Sequence, residues 1–564
     1  MRILWWSNAP WASTGYGVQT KLFAPRLAKA GHQLAIAALY GLQGGPITWN
    51  GIQCFPGLSE IGQEAIGHHS ESWNADITIG LFDAWPFEPQ FFRNSGMRWV
   101  PWFPVDMEPL AAQVQDRVQQ AFASIVFSKF GERMCQKAGL VPFYVPHGVD
   151  LEEYQPIPRA EARKALGCPE DRFVVGMVAA NKDYPSRKAL PQVIEAFARF
   201  AKRHSDALLY LHTKCNDEPL GSGAINIRHL IKHFELKDRV ITADPYHLSM
   251  GYGDKYMAQI YSALDCLASP SLGEGFGVPI LEAQACGCHV LVGDWTSMGE
   301  LCFAGYKIPR ERSEPFWTGL NSFFQLPHVA AIEDGLEALF RVRGDAGLRQ
   351  QARRGAEAYG VDLIVEKYWQ PVLTAVQEKI RGQNAKNKKA ALLLESLPRA
   401  PQGTVVEIGS TRTIQEIASD GFSTVYLARA CKERGVEFRS FDLDPMTVDK
   451  ANRILGREGL SQCVACGDGA IVLKELDPVA FLYLDSSDDP EDTLSQFTAA
   501  PLAPGAIVVV DDAQSNGVHP FGKASRLVSL FAEHGVKFEI RPTEPGYAAL
   551  VACFPCGKRK GLSL

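Results

Sequence analysis

"SLGEGFGVPILEAQACGC" (residues 271–288) sets two glutamates, Glu274 and Glu282, around three closely spaced glycines and the start of a helix. Gly273, Gly275 and Gly277 follow an apolar run that ends at Pro270, and Pro279 falls at or near the first helical position. Proline is tolerated there because the first helical N–H groups have no intrahelical partner. Those N–H groups, the helix dipole and the small glycines suit a bound phosphate. A carboxylate would compete with phosphate unless it faces something else. Glu282, one turn into the helix, can accept hydrogen bonds from a ribose, and Glu274 from the hydroxyls of a transferred sugar. Acids flanking a diphosphate site therefore point to a nucleotide sugar. The plain alternative is a strand–turn–helix with solvated glutamates.

The surrounding chain has 564 residues, too many for one core, and three or four domains are expected. Its 46% hydrophobic and 21% charged residues are ordinary globular composition. A net charge of -6 gives no reason to expect non-specific binding to nucleic acid or to an anionic membrane. Thirteen cysteines, an odd count without a regular framework, read as free thiols in a reducing cytoplasm. The start, "MRILWWSNAP", is unlike a signal peptide. No stretch approaches the ~18 apolar residues that would span a bilayer.

Strand-like runs alternate with amphipathic segments almost throughout. Residues 1–7, 33–38 and 75–80 read as strands, and "VQTKLFAPRLAKAG" between the first two has helical spacing. This βαβ rhythm predicts an α/β fold of parallel sheets covered by helices. The pattern pauses in the proline-marked "VPHGVDLEEYQPIP" (145–158), then resumes at 172–180, 207–213 and 265–270. A second break, from 379 to 403, begins as a polar, basic linker and leads through a short amphipathic piece to a Pro/Gly turn; a third series follows at 404–410, 437–444, 479–485 and 506–512. The expected units are 1–155, 156–360, a late helix at 361–380, a linker at 381–402, and a third doubly wound domain at 403–564.

With these pieces in place, G-E-G-F-G-x-P-x-x-E-A-x-A-x-G resembles the E-x7-E signature of retaining glycosyltransferases of the GT-B fold, family 4 type. The resemblance covers roughly residues 1–380. It implies two Rossmann-like domains, with the 361–380 helix returning to the first. Glu274 would then be catalytic, while Gly275, Phe276, Gly277 and Glu282 bind the donor. In "AANKDYPSRKAL" (179–190), Arg187 and Lys188 would stabilise the leaving nucleoside diphosphate. Lys182 is a weaker candidate there, and Asn181 stands where the family often has Arg. Gly15 and Gly17, after the first strand, let backbone approach the donor, or simply form a βα turn. Asp106 would orient a sugar hydroxyl or assist deprotonation of the acceptor, or else cap a helix. Ser128, Thr296, Ser297 and Glu300 fit positions near the donor, and His147 reads as structural. The resemblance implies retention of configuration and no metal or cofactor for glycosyl transfer.

The third series resembles class I S-adenosylmethionine-dependent methyltransferases. In "TVVEIGSTRTIQEIA", Glu407 and Gly409 match their first motif, although the usual G-x-G is here Gly409-Ser410-Thr411. Asp442 matches the acid that holds the cofactor's ribose, and Asp468 the one near its adenine. "FLYLDSSDDPEDTLSQF" and "LAPGAIVVVDDAQ" are similar to O-methyltransferases of the catechol and macrolide-sugar type. In those enzymes acids at two strand ends hold a divalent cation. Asp485, Asp511 and Asp512 would be the ligands here, and Mg²⁺ suits them. His519 is either a general base or a surface histidine. The C-x-x-C pairs Cys463/Cys466 and Cys553/Cys556 invite a zinc reading but sit inside this continuous pattern.

The expectation is a cytoplasmic, bifunctional enzyme in which a GT-B glycosyltransferase is fused to a methyltransferase. Its partners would be a nucleoside diphosphate sugar, S-adenosylmethionine, and a glycan, lipid-linked or small-molecule acceptor. Self-association is open. Two rival readings are a glycosyltransferase whose third domain only recruits substrate or joins subunits, and a non-catalytic nucleotide-sugar sensor.

Overall fold

In a computed structural model of the chain, the buried aliphatic runs become parallel strands. The structure describes residues 1–564 except 58–62, 95–96, 184, 216–223, 386–387, 411–421, 516–521, 545–546 and 555–564. The chain divides into two compact units, Met1–Ala375 and Val376–Leu564.

The first unit holds two sheets. One has eight strands, in the order Ile47–Trp49, Ile52–Phe55, Gln33–Ala38, Arg2–Ser7, Ile77–Leu81, Trp99–Phe103, Ile125–Val126, Phe143–Tyr144. Arg2–Ser7 pairs in parallel with both Gln33–Ala38 and Ile77–Leu81, so the strand order reverses there. In doubly wound sheets, ligands sit beyond the carboxyl ends of the strands at such a reversal. The helix Gly15–Lys29 opens at that edge, with Thr14 accepting a hydrogen bond from the Gly17 amide at 3.0 Å.

The second sheet has six parallel strands: Val240–Thr242, Ala207–His212, Phe173–Val178, Cys266–Ser269, His289–Gly293, Gly305–Ile308. Its reversal lies between Phe173–Val178 and Cys266–Ser269, whose following loops carry residues 179–190 and 270–277. Both strands are buried, as expected for a sheet covered on both faces. At the opposite end of the same sheet, Arg163 and Asp265 form an ion pair at 2.7 Å with both side chains fully buried.

The late segment from residue 361 packs against the first sheet. Val149 and Gly360 form a parallel bridge, and the Trp369 ring lies 5.6 Å from Trp5, 6.0 Å from Phe23 and 5.0 Å from Trp102. The element is not one helix, however. Val361–Ile364 passes through a π-type turn, Val365–Trp369, before Gln370–Ala385.

The second unit is a seven-stranded sheet in the order Val464–Cys466, Phe438–Asp442, Thr404–Ile408, Val479–Leu484, Leu502–Ser515, Tyr547–Cys553, Phe538–Glu544. Tyr547–Cys553 runs antiparallel to both neighbours. The reversal of strand order falls between Thr404–Ile408 and Val479–Leu484. Part of the expected linker belongs to this unit. The helix Lys388–Ser396 buries Leu392 and Leu393 in the core, followed by Leu397 and Ala400. This helix is the amphipathic piece of that stretch, and one of its lysines, Lys389, is itself buried. Among the described residues no helix is long and apolar enough to cross a membrane, and every cysteine is a free thiol.

Candidate active site

The two sheets of the first unit bring their carboxyl edges together around Glu274. Glu274 accepts hydrogen bonds from the Lys188 ammonium, from Arg187 Nη1 at 3.2 Å and from Ser271 Oγ at 2.7 Å. Burial alone would raise its pKa. Lys188 and Arg187 more than offset that and hold the carboxyl at about 2. Glu274 is therefore a fixed carboxylate, able to accept hydrogen bonds but not to donate a proton at neutral pH.

Arg187 also donates to the Gly273 carbonyl at 2.7 Å and faces Asp106, from the other sheet, at 3.9 Å. Burial disfavours the charge on Lys188 and lowers its pKa, with Arg187 adding to the effect. Such a cation gains most from an anionic ligand.

The glycines do less for a ligand than their sequence suggests. A Cβ on Gly273 would lie 2.0 Å from the Asp106 carbonyl oxygen, and one on Gly275 would lie 2.4 Å from Pro104 Cβ. The backbone they bring close is the chain's own, across the cleft. Gly277, at φ +108°, begins the helix Val278–Ala285 in a conformation that favours glycine. Thr296 Oγ1 accepts from the Glu274 amide at 3.2 Å, while Ser297 donates to the carbonyls of Glu274 and Phe276 at 2.7 and 2.6 Å. These two residues pin the loop. The Phe276 side chain is buried against His147 and Tyr359, so a role in donor binding falls to its backbone. Gly17 is likewise explained by packing, because a Cβ there would strike the Ala12 carbonyl at 2.3 Å. Gly15 is exposed and faces open space.

Glu282 is only 7% exposed and accepts from the Tyr261 hydroxyl at 2.8 Å. Burial pushes its carboxyl up to about 7, against the hydrogen bonds of Tyr261 and Tyr154. His147 is structural, as read. It is 3% exposed, packs against Trp102 and Phe127, and burial lowers its pKa to about 3. Asn181 staples its loop, donating to the Lys214 and Ile225 carbonyls and accepting from the Ile225 amide. Ser128 caps the helix Lys129–Lys137, and Glu300 accepts from the amides of Lys129 and Phe130. Both serve structure first.

Two residues escaped the sequence reading. Tyr16 and Asp83 stand beyond the carboxyl ends of Arg2–Ser7 and Ile77–Leu81, and the Tyr16 hydroxyl donates to Asp83 at 3.3 Å. With Asp106 they form an acidic wall opposite Arg187. Asp83 lies two residues past the strand Ile77–Leu81, and that was the available signal. Asp106 caps none of the described helices. Burial raises its pKa to about 6, with Arg187 opposing and Asp83 and Glu274 adding to the rise.

Asp106 is therefore mostly neutral below pH 6 and a carboxylate above it. If that carboxylate receives the acceptor hydroxyl's hydrogen bond, kcat/KM rises with pH through about 6. Asp106→Asn should abolish this acidic limb in a pH–rate profile; an unchanged limb would assign it to another group.

In the second unit, Asp442 ends its strand beside the reversal point. It accepts from the Ser410 amide at 2.9 Å, Ser410 Oγ at 3.2 Å and the Asp444 amide at 3.0 Å. A Cβ on Gly409 would lie 2.3 Å from the Asp485 carbonyl oxygen, so this glycine lets two strand ends meet. Glu407 is fully buried and accepts from Ser440 Oγ at 2.7 Å; burial pushes it up to about 7. That position ties Thr404–Ile408 to the neighbouring strand Phe438–Asp442 from within the core. Asp468 caps the helix Gly469–Val472, accepting from the Ala470 and Ile471 amides. Asp485, Asp511 and Asp512 do converge, with one carboxylate oxygen from each within 4.8 Å of the others. Cys463 and Cys466 lie at the edge strand. Thr411, His519 and Cys556 lie outside the described residues.

Comparison with known proteins agrees with this geometry. The family description of glycosyl transferases group 1 matches residues 158–306. D-inositol 3-phosphate glycosyltransferase of Saccharomonospora viridis is 31% identical over 227 residues, 40% of this chain and 49% of that protein. The Actinosynnema mirum protein of the same name is 34% identical over 147 residues, 26% of this chain and 34% of that protein. The chain thus spans about half the length, or less, of these curated relatives. Sucrose-phosphate synthase from Thermosynechococcus elongatus superposes with a TM-score of 0.52 at 16% identity, covering 66% of this chain and 99% of that one. The first unit has the GT-B glycosyltransferase fold, and its second half carries the group 1 sequence pattern.

Proposed function

We propose that the first unit transfers a sugar from a nucleoside diphosphate sugar to an acceptor hydroxyl, with retention of configuration. The observation that carries this reading is the clamp of Arg187 and Lys188 on Glu274, at the mouth of the helix Val278–Ala285 and facing Asp106. Two half-buried cations beside a helix N-terminus suit a diphosphate. As the bond from the anomeric carbon to the phosphate oxygen breaks, negative charge grows on the leaving group, where these cations stabilise it. The acceptor oxygen attacks from the same face and its proton passes to the departing phosphate oxygen. Glu274 holds hydroxyls of the transferred sugar, and Glu282 those of the ribose.

The acceptor side is argued from Tyr16, Asp83 and Asp106. An anionic group against two half-buried acids is repelled, and like charges brought together cost several kcal/mol. The two curated relatives are named for a phosphorylated inositol. In this chain the acidic wall favours a polyhydroxylated acceptor without phosphate. A transfer assay read by mass spectrometry, run with inositol and with inositol 3-phosphate, should favour the unphosphorylated acceptor by roughly tenfold or more. Preference for the phosphate would count against this assignment, while donor turnover without any acceptor would leave the glycosyltransferase reading standing.

For the second unit we propose S-adenosylmethionine-dependent O-methylation of the transferred sugar or the acceptor. Asp442 and Gly409 at the reversal of the sheet support it, since among the described residues Asp442 Oδ1 accepts one backbone hydrogen bond, which leaves capacity for a ribose hydroxyl. The cofactor, when bound, would supply an electrophilic methyl group. Calorimetry with S-adenosylmethionine tests this reading: saturable heat in the wild type that disappears in Asp442→Ala supports it. No heat in the wild type would favour a recruiting or assembly role.

A further inference from the structure

The carboxylates of Asp485, just past the end of Val479–Leu484, and of Asp511 and Asp512, within the adjacent strand Leu502–Ser515, have the chemistry and spacing of a hard-cation site. Two lysines already occupy it. Lys389, on the helix Lys388–Ser396, donates to Asp485 Oδ2 at 3.0 Å and pairs with Asp511 Oδ2. Lys523, in the short turn Gly522–Ala524, donates to Asp485 Oδ1 at 3.0 Å. Tyr483 adds a hydroxyl to Asp485 at 3.2 Å. Both oxygens of Asp485 and one of Asp511 are thus engaged by ammonium groups.

Neither lysine has an easy way out. Their side chains are 9% and 4% exposed. The helix that carries Lys389 is anchored by Leu392 and Leu393 in the core of the unit. A divalent ion among these acids would sit beside two buried ammonium groups, which repel it strongly in a poorly screened interior. Moving the lysines aside would leave buried charges without partners. Three carboxylates against two ammonium groups already form a nearly balanced cluster.

We propose that this acid triad is a lysine-closed site that takes no divalent cation, with Lys389 and Lys523 supplying the positive charge. The residues present do not fit the Mg²⁺ expected from the sequence resemblance. The proposal rests on contacts within the unit and stands whether or not the unit transfers methyl groups. It assigns Lys389 a definite part: it ties the helix ahead of the sheet to the two adjacent strands at the point where the acids converge.

The test is a titration of chelator-stripped, full-length protein with Mn²⁺, followed by electron paramagnetic resonance. The wild type should show no saturable site that Asp485→Asn removes, and its thermal unfolding should be the same with and without EDTA. The double variant Lys389→Met/Lys523→Met should gain one Mn²⁺ site, binding at least tenfold more tightly than any in the wild type. One equivalent of Mn²⁺ on the wild type, lost in Asp485→Asn, would overturn the proposal. So would a folded double variant that gains no site. Should the double variant not fold, the comparison of wild type with Asp485→Asn decides alone.

Discussion

Replacing Arg187 by alanine should lower kcat for sugar transfer by about 10²–10³-fold, the usual cost of removing one preorganised group that stabilises transition-state charge. The loss should fall mainly on kcat, because the charge on the diphosphate grows as the glycosidic bond breaks. Arg187 touches both walls of the cleft, donating to the Gly273 carbonyl and Glu274 on one side and facing Asp106 on the other. Its removal also leaves those acids with less compensation, so Lys188 then carries the clamp alone. Arg187→Lys restores the charge without the planar fork and should recover only part of the rate. Steady-state kinetics checks both variants, and a change in kcat below threefold for Arg187→Ala would contradict the assignment.

The largest expected loss of stability lies far from this cleft. Asp265→Ala should destabilise the first unit by ~3–5 kcal/mol, because removing one member of a buried ion pair strands the other charge. Asp265 accepts from Arg163 Nη2 at 2.7 Å and from the Val174 amide at 2.7 Å, and pairs with Arg159 at 2.6 Å. Arg163 is fully buried and also donates to the Ala263 carbonyl at 3.2 Å. The alanine variant leaves that guanidinium without its carboxylate and the Val174 amide without an acceptor. All 11 tryptophans fall between Trp5 and Trp369, so tryptophan fluorescence during urea unfolding reports on the first unit alone. A midpoint close to that of the wild type would show that water or a neighbouring group replaces Asp265 at little cost.

Much of the fold was legible because buried parallel strands announce themselves as aliphatic runs. The runs at 1–7, 33–38, 172–180 and 404–410 became Arg2–Ser7, Gln33–Ala38, Phe173–Val178 and Thr404–Ile408. The meeting of Glu274 with Arg187 and Lys188 was legible only through family resemblance, since their distance in sequence says nothing about the sheet reversal that joins their loops.

What stayed hidden depended on packing between distant segments. Gly273 and Gly275 looked like room for a phosphate, but their missing side chains make way for Asp106 and Pro104. Lys389 looked like part of a solvated basic linker and is instead a buried partner of two aspartates. Asp265, read only as the start of a strand, is the anchor of an arginine cluster. A charge in a sequence does not disclose whether it will be solvated or buried; that follows from which segment the fold sets against it.

The most direct measurement is release of nucleoside diphosphate when the protein is incubated with a panel of uridine, guanosine and adenosine diphosphate sugars, compared with the Arg187→Ala and Glu274→Ala variants. The account predicts turnover of at least one donor by the wild type, reduced 100-fold or more in both variants. Wild-type protein that releases no diphosphate from any donor, or variants that release it as fast, would contradict it.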